Sequence, residues 1–114
     1  LVLDFWATWC SPCLKATPYL KKLHKEFEGK PVEIIGINLD YDKSNDFVVK
    51  FAKKKGIAYT ILKGDQKISG KFKIRGIPVF FLIDKEGNIK QKYIGFNPSF
   101  FNKLPSEINK LLEE

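Results

Sequence analysis

Short apolar stretches alternate along the chain with longer amphipathic ones, and the two periods separate strands from helices. Residues 1–6, Leu-Val-Leu-Asp-Phe-Trp, are apolar apart from Asp4 and read as a buried strand. Over 11–27, Leu20, Leu23 and Phe27 recur at helical spacing and Gly29 follows, which predicts a helix. Residues 32–39 are mostly apolar and rich in β-branched side chains, a second buried strand. A polar turn over 40–45 leads into a helix over 46–55, with Phe47, Val48 and Phe51 turned inward and Gly56 as its stop. Residues 57–62 suit a short strand, whereas the basic, glycine-punctuated stretch 64–76 shows no clear period. Strands over 79–83 and 89–94 flank a turn at 84–88 and form an antiparallel hairpin. Over 106–114, Ile108, Leu111 and Leu112 share one face of a last helix, which Pro105 is placed to open.

Strands alternating with helices and closing in a hairpin predict an α/β fold with a mixed sheet. A chain of 114 residues fits one domain over 1–114, and its 44% hydrophobic and 14% aromatic residues supply a single core. The longest apolar run, 77–83, is far too short to cross a bilayer. The chain opens on Leu1 and not on Met, so it is expected to be a processed or trimmed segment from which any leader or membrane anchor is already gone.

The net charge of +7 permits anionic partners, but the 20 basic residues are scattered and all are Lys except Arg75. The one dense cluster, Lys53-Lys54-Lys55, falls at a predicted helix end, where cations suit the helix dipole. The basic balance is therefore assigned to a solvated surface, and no nucleic-acid partner is expected.

The chemistry concentrates in Trp9-Cys10-Ser11-Pro12-Cys13, which holds the only two cysteines and lies between a strand end and a helix start. A disulfide closing so short a loop removes little unfolded-state entropy, so a purely stabilising role is disfavoured. Structural zinc takes about four ligands. Here only His24, on the following helix among Lys21, Lys22 and Lys25, could join the cysteines, and no metal is expected. A helix N-terminus, by contrast, offers unpaired N–H groups and the positive end of the dipole, which stabilise a thiolate at Cys10. Cys10 is then the exposed, attacking thiol, and Cys13, one turn further in, resolves the mixed disulfide. Pro12 fixes the first turn, where its missing N–H is harmless. No cofactor is expected beyond the redox-active Cys10–Cys13 disulfide.

At these residues the chain resembles the thioredoxin superfamily. Residues 4–13, Asp-Phe-Trp-Ala-Thr-Trp-Cys-Ser-Pro-Cys, are similar to that family's active-site strand and loop. Pro18 matches the proline of its first helix, Gly76-Ile77-Pro78 and the strand that follows its cis-proline loop, and Gly95 the glycine that leaves room for substrate backbone. The resemblance implies a thioredoxin fold with a central mixed sheet flanked by helices. It implies that Asp4 is a buried carboxyl with a raised pKa that shuttles the proton of Cys13. From the pattern alone, Asp4 could instead stand at an exposed strand end, and Pro78 could be an ordinary edge proline. The resemblance further implies a cis Ile77–Pro78 bond beside the cysteines, where substrate pairs with Ile77 as an added strand. Trp9 would shield the thiol and offer a contact surface, while Trp6 packs in the core.

Within the family, the long separation of Cys10 from Pro78, with its extra length between Leu39 and Ile74, resembles the extracytoplasmic TlpA/ResA-like reductases. So does the stretch from Phe81 to Gly87. That branch serves cytochrome c maturation and related redox tasks. The resemblance implies protein disulfide substrates, an upstream dithiol electron donor, a periplasmic or membrane-anchored station with any tether outside this segment, and a monomer. Ala16 departs from the pattern, because the branch often carries a glutamate there, and residues 1–114 do not include the N-terminal hairpin that the branch usually carries. Asp4 points toward ordinary thioredoxins. The competing functions are a general cytosolic thioredoxin and a non-catalytic thioredoxin-like binding module. A disulfide-forming oxidant is disfavoured because Ser11-Pro12 lacks a histidine, and a peroxidase because Ala7 stands where a threonine is needed. Asp40 and Asp42 follow the second strand, where the resemblance implies a second acidic group near the active site in that branch; neither is singled out, and both are expected to be loop carboxylates.

Overall fold

The computed structural model describes residues 1–114. Three strands form its centre and are the most apolar: β1 (Val2–Trp6), β2 (Ile34–Asn38) and β4 (Val79–Ile83). β3 (Thr60–Lys63) and β5 (Ile89–Ile94) close the two edges and are largely exposed. The sheet order is β3-β2-β1-β4-β5. β1, β2 and β3 run parallel, whereas β4 is antiparallel to β1 and to β5. Helices α1 (Ser11–Glu26), α2 (Asn45–Lys54), α3 (Gln66–Lys71) and α4 (Pro98–Leu112) complete the chain. This is the mixed, helix-flanked sheet of the thioredoxin fold, with α2, β3 and α3 lying in the long mid-chain stretch between Leu39 and Ile74.

Alternation along β1 sends Val2, Asp4 and Trp6 to one face and Leu3 and Phe5 to the other. On the first face Val2 packs with Leu20 and Leu23 of α1, Phe80 and Leu82 of β4, and Leu104 and Ile108 of α4. On the second, Leu3, Phe5, Ile37, Val79 and Phe81 gather under Ile68 and Phe72 at α3. The Phe72 ring lies 5.3 Å from that of Phe5 and 5.1 Å from that of Phe81, so α3 is anchored by aromatic packing.

Local signals account for most element ends. The Ser44 side chain caps α2 by accepting from Phe47 N, 3.1 Å. Asp65 caps α3 in the same way through Ile68 N, 2.8 Å. At the hairpin, Asp84 Oδ1 accepts from Glu86 N at 3.0 Å and Asn88 N at 2.8 Å, while Gly87 takes φ +87°.

The structure departs from the sequence expectation in four places. The last helix begins at Pro98 and not at residue 106; Asn97 caps it, Pro98 occupies its first turn, and Pro105 lies inside it. Proline is disfavoured in a helix interior, but Phe100, Phe101 and Leu104 are buried here against Phe80 and Tyr93, and that packing carries the helix through. Within the aperiodic stretch 64–76, α3 forms because a tertiary surface of Phe5 and Phe81 receives its short apolar side. Phe47 does not turn inward: it is 43% exposed with the Lys43 ammonium over its ring, while Val48 and Ala52 supply the buried side of α2. The strand expected at 57–62 pairs only from Thr60. No helix is long and apolar enough to cross a membrane.

Leu104 is fully enclosed between α4 and the sheet. Leu104→Ala is expected to lower unfolding free energy by about 2–5 kcal/mol, read as a lower urea midpoint with an unchanged slope.

Candidate active site

β1 ends at Trp6, and the chain turns over Ala7, Thr8 and Trp9 before α1 begins. Cys10 N donates to the Ala7 carbonyl at 3.2 Å, which closes this turn. Cys10 is itself the N-cap of α1: its backbone is extended, and its sulfur accepts from Cys13 N at 3.3 Å. The sulfur therefore takes the place that a Ser or Asp oxygen fills at an ordinary helix start. No acidic residue stands in the first turn of α1 to oppose a negative charge there. Pro12 lies in that turn, and Pro18 stands inside the same helix. Cys10 and Cys13 are joined as a disulfide, Cα to Cα 5.2 Å.

Residues distant in sequence frame the pair. The Ile77–Pro78 peptide bond is cis, and the Ile77 carbonyl oxygen lies 3.8 Å from Cys10 Sγ. Gly95 N donates to the Pro78 carbonyl at 2.9 Å. Gly95 sits at φ +86°, a conformation that side chains rarely adopt, and the space beside its Cα is open. Trp9 stands out from this frame at 68% exposure, whereas Trp6 is buried. Trp9 thus offers a contact surface more than a shield.

The sulfur expected at the surface is more enclosed than the sequence suggests. Cys10 is 4% exposed and Cys13 1%, because Trp6, Ala7, Val48 and the partly buried Ile77 pack around both. The inner position of Cys13 agrees with its greater burial, but the contrast between the two is small in the disulfide form.

Asp4 is buried in the sheet and is no exposed strand end. It lies on the same face of β1 as Val2 and Trp6, between the cluster around α1 and α4 and the cluster that contains both cysteines. Its neighbour across β2 is Gly36, where a Cβ would come 2.8 Å from Ile61 Cδ1 and 3.0 Å from Trp6 Nε1. No larger residue fits that position without moving Ile61 or Trp6. Neither Asp4 Oδ1 nor Trp6 Nε1 has a hydrogen-bond partner. Burial alone pushes the Asp4 carboxyl up to about 8. Burial also raises the nearby Tyr59 phenol, with the Asp4 charge adding to the effect.

Sequence reasoning missed the role of Asp40 in this frame. It is not a solvated loop carboxylate: it is fully buried and accepts hydrogen bonds from Thr8 N at 2.8 Å, Thr8 Oγ1 at 2.9 Å and Asn38 Nδ2 at 2.7 Å. Asp42 is exposed, as expected. The position of Asp40 directly after an apolar strand was the available signal, since that is where a chain leaves the sheet beside a neighbouring strand end. His24 sits partly buried with its ring 6.3 Å from that of Tyr59.

The raised Asp4 pKa has a definite consequence for stability. The unfolded carboxyl ionises near 3.8 and the folded one near 8, so between these values the native state holds a proton that the unfolded state has lost. Stability is therefore expected to fall as pH rises through that window and to level off above it. Asp4→Asn cannot titrate, so it should flatten this slope and raise unfolding free energy at neutral pH by on the order of 2 kcal/mol. Urea unfolding of both proteins from pH 4 to pH 9 checks it; parallel pH profiles would contradict it.

The geometry has counterparts in known proteins. The profile of the Redoxin family matches residues 1–112. The thiol-disulfide oxidoreductase ResA of Bacillus anthracis is 38% identical over 94 residues, which is 82% of this chain and 53% of that protein. ResA of Bacillus subtilis strain 168 is 33% identical over 94 residues, 82% of this chain and 51% of the relative. The chain thus spans about half the length of the curated relatives it matches. Among solved structures, a Chlorobium tepidum protein assigned as the thiol:disulfide interchange protein DsbE gives a TM-score of 0.86 at 27% identity, covering 97% of this chain and 78% of that one. StoA from Bacillus subtilis gives 0.75 at 26% identity, covering 89% and 78%. This chain belongs to the Redoxin family and, within the thioredoxin superfamily, to its TlpA/ResA-like branch.

Proposed function

We propose that this protein is a thiol–disulfide oxidoreductase that reduces protein disulfides through Cys10 and Cys13. The observation that carries the reading is the Cys10 sulfur at the N-cap of α1, receiving the Cys13 N–H and facing the Ile77 carbonyl. In the reduced protein this donor and the helix dipole favour the Cys10 thiolate. The thiolate attacks one sulfur of a substrate disulfide. A Cys10–substrate bond forms, the substrate disulfide breaks, and the first substrate thiolate leaves. The Cys13 thiol then passes its proton to the Asp4 carboxylate, and the new Cys13 thiolate attacks the Cys10 sulfur. The second substrate thiolate leaves and the Cys10–Cys13 disulfide remains. An upstream dithiol donor returns two electrons and two protons to restart the cycle. A carboxyl pushed up to about 8 suits this exchange, because both of its protonation states are populated near neutral pH.

The substrate backbone pairs beside Ile77 and Pro78, with Trp9 as a flanking contact and Gly95 leaving space. The extra mid-chain length shapes the approach. Tyr41 and Asp42 after β2, Ser69 of α3, and Arg75 and Ile77 before β4 line an open groove of about 440 Å³ that reaches Trp9. This groove supports a dedicated reductase with a restricted set of clients, as extra contacts favour some partners and clash with others. We further propose an extracytoplasmic station, with cytochrome c maturation or a similar redox task as its setting. The similarity to the ResA proteins and to DsbE and StoA supports that placement over a general cytosolic thioredoxin.

Two experiments test these readings. Cys13→Ser is expected to trap Cys10–substrate mixed disulfides, visible as reducible adducts, because only Cys13 can release them. Cys10→Ser should trap none, and equal trapping by both variants would rule out the two-step mechanism. The dedicated reading predicts reduction of insulin with a small dithiol as donor but poor recycling by cytosolic thioredoxin reductase. Efficient recycling by that enzyme would leave a general thioredoxin as the better description.

A further inference from the structure

The proposed chemistry gives Asp40 no step, yet its carboxylate is fully buried against the turn that carries Cys10. Burying an ionised carboxyl is costly unless donors surround it. Here three donors do so. Oδ2 accepts from Thr8 N at 2.8 Å and from Asn38 Nδ2 at 2.7 Å, and Oδ1 accepts from Thr8 Oγ1 at 2.9 Å. The arrangement is locked from behind. Asn38 Oδ1 accepts from Asp40 N at 3.0 Å and from the Lys63 ammonium at 3.2 Å, and Lys63 also donates to the Asp40 carbonyl. Asn38 therefore cannot flip its amide without losing all three of these side-chain bonds.

Thr8 is thus held at two points, one on its backbone and one on its side chain. It lies within the turn that the Cys10 N to Ala7 O bond closes, two residues before the sulfur. A two-point hold fixes orientation as well as position, which a single hydrogen bond does not. We propose that Asp40 is a positioning residue: by clamping Thr8 it aims the Cys10 sulfur at the Cys13 N–H and so sustains the Cys10 thiolate. This rests on the reading of Cys10 as the attacking sulfur. It adds that the carboxylate acts through geometry and not through its charge.

The two modes have opposite signs. A negative charge near Cys10 disfavours its thiolate, so removing charge alone lowers the pH at which Cys10 becomes reactive. Losing the clamp separates the thiolate from the Cys13 N–H and raises that pH. Asp40→Asn removes the charge and can keep all three bonds. Its oxygen accepts from Thr8 N and Asn38 Nδ2, and its NH₂ faces Thr8 Oγ1, which then accepts. Asp40→Ala removes charge and clamp together. The other charged groups at the turn are Lys63 on β3, which donates to the Asp40 carbonyl, and Asp42 and Arg75, which line the groove that reaches Trp9; Asp4 is buried on the Trp6 face of β1. None of them is altered in these variants.

The test follows iodoacetamide alkylation of Cys10 against pH in the reduced full chain, with the labelled cysteine identified by mass spectrometry. Asp40→Ala is expected to move the Cys10 profile to higher pH and to slow alkylation at pH 7 about tenfold. Asp40→Asn should leave the profile in place or move it slightly lower. Thr8→Val, which loses only the hydroxyl bond, should move it upward by less than Asp40→Ala. A folded Asp40→Ala protein with the wild-type profile would overturn the proposal, leaving Asp40 a stabilising contact only. An Asp40→Asn profile raised as far as that of Asp40→Ala would also overturn it. If Asp40→Ala does not fold, Thr8→Val decides, and an unmoved profile there counts against the clamp. The readout is the thiol itself, so failure to reduce insulin would refute the proposed function without touching this result.

Discussion

The Cys10 sulfur at the N-cap of α1 is the interaction around which the molecule is organised. A helix start leaves several backbone N–H groups without partners, and proteins usually answer them with a hydroxyl or carboxylate oxygen. Here the answer is a sulfur that accepts from Cys13 N at 3.3 Å. The capping bond is also the source of the proposed reactivity, because a group that satisfies the helix end best when charged is favoured in that charged form. β1 brings the chain to this point, β4 delivers Ile77 to the other side of the sulfur, and the buried end of β2 holds the intervening turn.

This arrangement sets a demand on the interior that works against stability. Asp4 occupies a position in β1 where an apolar residue would pack, and one of its oxygens has no partner. Gly36 beside it carries no side chain because Ile61 and Trp6 already fill the space a Cβ would enter. The carboxyl is therefore held dry and is pushed up to about 8 by burial alone. A protein selected only to fold would not keep such a group at the centre of its sheet; one that must move a proton near neutral pH has a use for it.

The mid-chain extension works at the opposite edge of the same problem. β3 extends the sheet beside β2 and supplies Lys63 to the Asn38–Asp40 lock, while α3 covers the second face through Phe72. The segment that distinguishes this branch thus both braces the active-site turn and forms one wall of the groove that reaches Trp9.

Much of the site was legible in the sequence. Cys10, Pro12 and Cys13 are adjacent, so their chemistry follows from local spacing and from the helix start that Pro12 marks. Ile77, Pro78 and Gly95 were found through family resemblance, since nothing in their local pattern says that they approach Cys10. The central strands were readable because burial on both faces leaves continuous apolar runs. The sequence misled where packing overrode local preference. Pro105 reads as a helix opener, yet α4 runs through it because Phe100, Phe101 and Leu104 find an aromatic surface built by β4 and β5. The 64–76 stretch shows no period because α3 is short and most of its anchoring comes from Phe72 just beyond it. By itself, then, the sequence determined the α/β class, the order of every element except α3, and the cysteine pair, all of which depend on neighbours in the chain. Only the tertiary structure decided that Asp40 grips Thr8 and that Asp4 is dry, because hydrogen bonding and desolvation depend on which distant segments exclude water from a group.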